Sequence, residues 1–156
     1  MRHTSSARGI TTIEILVAVA IVVILSALIL AAFSEFRSRQ TLGAVVEKAL
    51  AAFSAARLDT ISSKNDMTYG VHIKSGEVIY FAGAMYPGDG DSGNAHFTFP
   101  TSVEIANISL YGGGSTVFYK RLTGATDNYG TFDIRMVGNT NTKTTVTINQ
   151  SGSTSI

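Results

Sequence analysis

Few residues in this chain are placed to do chemistry, and Glu14 is the most conspicuous of them. It stands at the head of an apolar run: of the nineteen residues from Ile15 to Phe33, only Ser26 is polar. A charge at the centre of a membrane helix costs roughly 2.5–3.5 kcal/mol on insertion scales. Such a carboxylate calls for a cationic partner. The remaining reactive groups are scattered. His3, His72 and His96 include no pair with metal-ligand spacing. Asp89-Gly90-Asp91 offers oxygens to a hard cation but lacks the EF-hand spacing and its closing glutamate. It reads as a solvated hairpin loop. There is no cysteine, so thiolate ligands, disulfides and cysteine nucleophiles are excluded. No Ser-His-Asp arrangement is visible, and Gly112-Gly113-Gly114 precedes no lysine and opens no helix. The residues point to no enzyme, no cofactor and no metal.

The elements that position Glu14 follow from composition. Nineteen helical residues span about 29 Å, close to a bilayer's hydrocarbon core. The leader carries Arg2 and Arg8 and no acid, which keeps it cytoplasmic under the positive-inside rule. The apolar run is longer than a secretory h-region of about 7–15 residues. Beyond Phe33 the chain turns polar, with Arg37 and Arg39 at the outer interface. Leu42, Val46, Ala49, Phe53, Ala56 and Thr60 then recur at helical spacing, widened by Val45, Leu50 and Ile61. One long helix is expected from about Ile10 to Ser62, its second half laid across a sheet. Gly43 is its weak point.

The remainder reads as strands. Met67, Tyr69, Val71 and Ile73 alternate with polar or small residues, and Ser75-Gly76 turns into Val78-Ile79-Tyr80-Phe81. Further strands are expected at 96–99, 103–110, 116–121, 130–137 and 144–149, with a frayed tail. The fold class is α+β: a long N-terminal helix packed on a small antiparallel β domain. From Lys64 onward six basic residues face seven acidic ones, so this domain is close to neutral and is no general nucleic-acid binder.

Gly9 followed by Ile10-Thr11-Thr12-Ile13-Glu14 resembles the N-terminal signal of type IV pilins and pseudopilins. Members more often begin the mature chain with Phe, then Thr-Leu-Ile-Glu; here Ile10 and Thr12 depart from that pattern. The resemblance implies a pilin-like fold and cleavage by prepilin peptidase between Gly9 and Ile10. It also implies methylation of the new amino terminus at Ile10. Glu14 becomes the fifth mature residue, one helical turn from that amine, and the implied partner is a neighbouring subunit's amine. Its role is then assembly registry, because an unpaired buried charge can cost several kcal/mol.

The domains implied are a leader at 1–9, a membrane and filament-core helix at 10–33, its amphipathic continuation at 34–63 and a β head at 64–156. The expected partners are other pilin or pseudopilin subunits, prepilin peptidase and an inner-membrane assembly platform. The expected location is a single pass of the inner membrane with the head outside the cytoplasm, then a pilus or pseudopilus. Ala55-Ala56-Arg57, Val117-Phe118-Tyr119, Gly124, Gly130 to Ile134 and Thr145 to Asn149 before Gly152 look like the H-class minor pseudopilins of type II secretion and FimT-like minor pilins. The expected function is that of a structural minor subunit; the alternatives are a membrane-anchored domain that does not assemble and a DNA-uptake minor pilin, for which the FimT-like resemblance implies a basic tail. This tail has no Lys or Arg after Lys143, leaving only Lys120, Arg121, Arg135 and Lys143 as a candidate patch. Asn107-Ile108-Ser109 is a glycosylation sequon by pattern.

Overall fold

The structure is a computed structural model that describes residues 11–156. The chain divides into two compact units, residues 1–38 and 39–156. Helix α1 spans Thr12–Ile61. Within the described residues it starts after non-helical Thr11, runs through Gly43 and ends one residue earlier than expected. In the first unit, the side chains described along Thr12–Ile29 are all solvent-facing. This segment is long and apolar enough to cross a membrane.

Among the described residues the hydrophobic core lies in the second unit, and its first member is Leu42. The last part of α1 supplies Leu42, Val45, Val46, Ala49, Ala52, Phe53, Ala56 and Thr60, all buried. The spacing picks out all of these but Ala52; Leu50 and Ile61, also expected in the stripe, are only partly buried. A short 3-10 turn at Lys64–Asp66 follows, with left-handed backbone at Ser63, Asn65 and Asp66.

Eight strands form two four-stranded antiparallel sheets: β1 Tyr69–Lys74, β2 Glu77–Ala82, β3 Ala95–Thr98, β4 Val103–Leu110, β5 Thr116–Phe118, β6 Gly130–Met136, β7 Asn139–Ile148 and β8 Thr154–Ser155. One sheet has the order β3-β2-β1-β5, the other β4-β6-β7-β8. Phe53 stacks on Phe132 of β6 with ring centres 5.7 Å apart. Thr60 ties the helix to the first sheet: its hydroxyl donates to the Ala56 carbonyl at 2.8 Å and accepts the Tyr69 N–H at 2.9 Å. The buried threonine thus satisfies a β1 amide that would otherwise lose a partner.

The tail is ordered rather than frayed. Asn149 and Ser153 close a tight turn, and β8 pairs Thr154 with Ile148 and Ser155 with Thr147. A second departure concerns residues 83–94. The outer face of the first sheet buries Ile79 and Phe81 completely. Phe81 lies over Gly70, where a Cβ would meet its ring at 2.6 Å. Tyr86 folds back from the loop onto Phe81 and stacks on His72 at 4.1 Å. The loop therefore covers a small second apolar layer.

Asp133 on β6 is 5% exposed. It accepts from Asn107 Nδ2 at 2.8 Å, Lys143 Nζ at 2.9 Å and Thr145 Oγ1 at 2.6 Å. These three donors, led by Thr145, hold its pKa down at about 2 against a usual 3.8. The sign follows: the folded pKa lies below the unfolded one, so stability from this site is complete above about pH 5 and is lost as pH falls through 3.8 towards 2. The shift corresponds to about 2 kcal/mol. Acid titration of the full chain in detergent should show this loss, and Asp133→Asn should flatten the profile over that window.

Candidate functional site

The exposed start of α1 is built by local chemistry. Thr11 precedes the helix, and its Oγ1 accepts the Glu14 N–H at 3.3 Å. Its carbonyl accepts from Glu14 and Ile15 at 3.1 and 3.3 Å. Thr11 is thus the N-cap and Glu14 the third helical residue, the Thr-x-x-Glu arrangement of a capping box. Thr11-Thr12-Ile13-Glu14 carries that pattern in plain view, a capping signal legible from the residues alone. A carboxylate in the first turn also complements the helix dipole. Glu14 is solvent-facing, beside a shallow depression lined with Ile15, Ala18 and Val19. Ile13, Leu16, Val17, Val22 and Leu25 along the same helix are exposed as well. Gly9 and Ile10, the expected cleavage pair, lie outside the described residues.

The other sequence candidates are drawn into ordinary structure. Asp89 is held by Lys74 at 2.6 Å and by the Tyr86 hydroxyl. Lys74 lowers the Asp89 pKa, and loss of exposure raises that of Tyr86 to about 12. Asp91 accepts the Gly93 N–H at 2.8 Å, which shapes the turn. Among the described residues no three His, Asp or Glu side chains gather as metal ligands. His72 is half-buried, not on a simple polar face; its Nδ1 lies 2.8 Å from Thr116 Oγ1, and burial lowers its pKa. His96 sits 3.0 Å from Glu77. Asn107 occupies a bulge in β4 with left-handed backbone, and its amide nitrogen is engaged by Asp133.

The cations considered for DNA are each spoken for. Lys120 pairs with Asp127 at 2.7 Å, Arg135 with Glu104 at 2.7 Å and Lys143 with Asp133 at 2.9 Å. Arg121 pairs with Asp66. All four cations of the candidate patch are therefore held in ion pairs within the head.

This architecture has solved counterparts. No family model matches the chain, and no curated protein does. Two crystal forms of the type IV minor pilin FimU from Pseudomonas aeruginosa strain PAO1 do match in structure. The form in space group P21 superposes with a TM-score of 0.55 at 16% identity, covering 78% of this chain and 91% of that one. The form in P65 gives 0.52 at 16% identity, covering 72% and 90%. The fold is pilin-like.

Within that pilin-like fold, three residues that are far apart in sequence meet. Arg57 Nε donates to the Gly124 carbonyl at 3.2 Å, and Nη2 to the Ser151 carbonyl at 3.3 Å. Gly152 lies against the same carbonyl: a Cβ there would come within 1.8 Å of Gly124 O. Arg57 thus clasps the turn after β5 and the turn after β7 to the helix. The sequence pattern contains Arg57, Gly124 and Gly152, but spacing carries no sign that they touch.

Proposed function

We propose that this chain is a structural minor subunit, pilin or pseudopilin, of a type IV pilus or a type II secretion pseudopilus. It is made with a basic leader, cut by prepilin peptidase between Gly9 and Ile10, and methylated on Ile10. The single observation that carries this reading is the first part of α1. Thr12–Ile29 is long, apolar and entirely unburied, yet it is the same helix that supplies the core of a pilin-like head. An apolar surface of that extent is stable only in lipid or against other helices. A subunit that waits in the membrane and then packs its helix into a filament uses both environments.

On this reading the helix crosses the inner membrane once and the head lies outside the cytoplasm. Other subunits and an inner-membrane assembly platform are its partners. Glu14 keeps register by pairing with the amino terminus of a neighbour's Ile10.

Co-expression with a prepilin peptidase followed by intact-mass measurement tests the proposal. The expected product lacks residues 1–9 and carries one added methyl group. An uncut chain, or cleavage near Phe33, would overturn it.

A further inference from the structure

The first sheet separates two apolar layers. Tyr69, Val71, Ile73 and Val78 belong to the main core, while Ile79 and Phe81 are wholly buried yet stand outside it. Register and alternation put those two on the opposite face, level with His72 and Gly70. The stretch 84–94, between β2 and β3, shields that face. Its attachment is slight. Its backbone hydrogen bonds, from Asp91 to Gly88 and from Asn94 to Asp91, stay within the loop. Two side chains carry its polar and aromatic contacts with the sheet: Tyr86 packs on Phe81 and His72, and Asp89 pairs with Lys74. Asn94 Oδ1 is shielded with no hydrogen-bond partner in the protein, a cost that opening to water removes. Segments held by so few bonds open at low free energy.

We propose that residues 84–94 form a strap that opens as a unit while the main core stays folded, and that protonation of His72 favours the open state. The His72 ring is half-buried against Tyr86, with Nδ1 2.8 Å from Thr116 Oγ1. Asp89 and Tyr86 face it from the strap, Lys74 from its own strand and Glu77 from β2. His96 of β3 stands level with it across Ile79 and engages Glu77, and β5 brings only the neutral Thr116. Burial outweighs the pull of Asp89 and Glu77 and lowers the His72 pKa from 6.5. Opening hydrates the ring, so the open strap binds the proton more readily. The closed strap is therefore favoured at neutral pH and loses ground as pH falls below 6.5. The tie to Lys74 is not the sensor, because Lys74 holds the Asp89 carboxyl below its usual 3.8. This device belongs to the head alone and operates with or without assembly.

The chain has no cysteine, so single introduced thiols report without interference. Full-length chain in detergent carries Ile79→Cys under the strap, Val71→Cys on the main-core side of the same sheet, or Ser102→Cys in an exposed turn. Labelling rates with a neutral thiol reagent are divided by the Ser102→Cys rate at the same pH, which cancels the thiol's own titration. Between about pH 7.5 and about pH 5.5, the Ile79→Cys ratio should rise, setting in near 6.5, while the Val71→Cys ratio stays at its floor. His72→Gln should make the Ile79→Cys ratio flat over that range, and His96→Gln should leave the rise in place. Asp89→Asn should raise the ratio at every pH by up to about fivefold, the size of an exposed ion pair. Thermal melting checks that each variant is folded; if His72→Gln is not, His72→Asn must give the same flat profile. An Ile79→Cys ratio that ignores pH, or that rises only together with the Val71→Cys ratio, would overturn the strap. A rise that survives His72→Gln, or that vanishes with His96→Gln, would overturn His72 as its trigger.

Discussion

Glu14→Ala is expected to reduce incorporation into filaments by more than tenfold while leaving proteolytic maturation and thermal stability unchanged. Among the described residues none before Leu42 belongs to the hydrophobic core, so the folded head is expected not to depend on Glu14. Its exposure among apolar side chains means that its energy is decided by what comes to lie against it. In a helical bundle of low dielectric, an unmatched carboxylate costs several kcal/mol, and a matched one recovers most of that cost. One pKa-scale unit of energy, about 1.4 kcal/mol, is already tenfold in an association constant. The capping geometry at Thr11 offers a rival explanation, because Glu14 also occupies the third helical position. Glu14→Gln separates the two. Glutamine keeps the capping pattern but has no charge. Pulldown of assembled filaments should show Gln behaving like Ala; a Gln variant that assembles normally would assign Glu14 to the helix end instead of to a neighbour.

Gly152→Val is expected to be the most damaging single change in the head, costing about 3 kcal/mol or more and lowering the melting temperature by roughly 10 °C. The backbone there has φ +79, a conformation that side chains other than glycine rarely adopt. The added Cβ would also run into Gly124 O and lie 3.1 Å from Arg57 Nε. The clasp cannot give way locally, since Gly124 itself (φ +64) has Ile61 at 2.6 Å from where its own Cβ would be. Gly43→Ala is the opposite control. Its Cβ meets nothing within 4 Å on a helical backbone, and a gain of about 1 kcal/mol is expected. Melting of the full chain in detergent measures both, and a Gly152 variant as stable as the parent would remove the clasp from the account.

The sequence exposes those parts of this fold whose physics is periodic. The stripe from Leu42 to Thr60 is legible because only one helix face can reach the core. Alternation from Tyr69 to Ile73 is legible because a strand shows each face every second residue. The Thr-rich β7 begins at Asn139, five residues earlier than expected, since Asn139 to Lys143 carry no apolar alternation. β8 is a two-residue strand of polar side chains, and only its pairing defines it. Residues 83–94 look like solvent loop because Pro87, Gly88 and Gly90 dominate the composition; Tyr86, whose ring packs the segment onto the sheet, has no periodic neighbour. Of the candidate site, Glu14 stands out as a charge out of place. The clasp at Arg57 does not, because it is assembled from turns that meet only after folding.

The covered outer face of the first sheet changes where this protein can be altered. By composition, residues 83–94 would be the obvious place for a tag, an insertion or a fluorescent label. Tyr86 and Asp89 hold that segment down over Phe81 and Lys74, so an insertion there would uncover the second apolar layer. The permissive position is elsewhere. At Gly113 and Gly114 an added atom meets only open space, and the three-glycine turn from Gly112 joins β4 to β5 without supporting any packed side chain. An epitope spliced into that turn, and not into the longer loop, would report on the intact subunit.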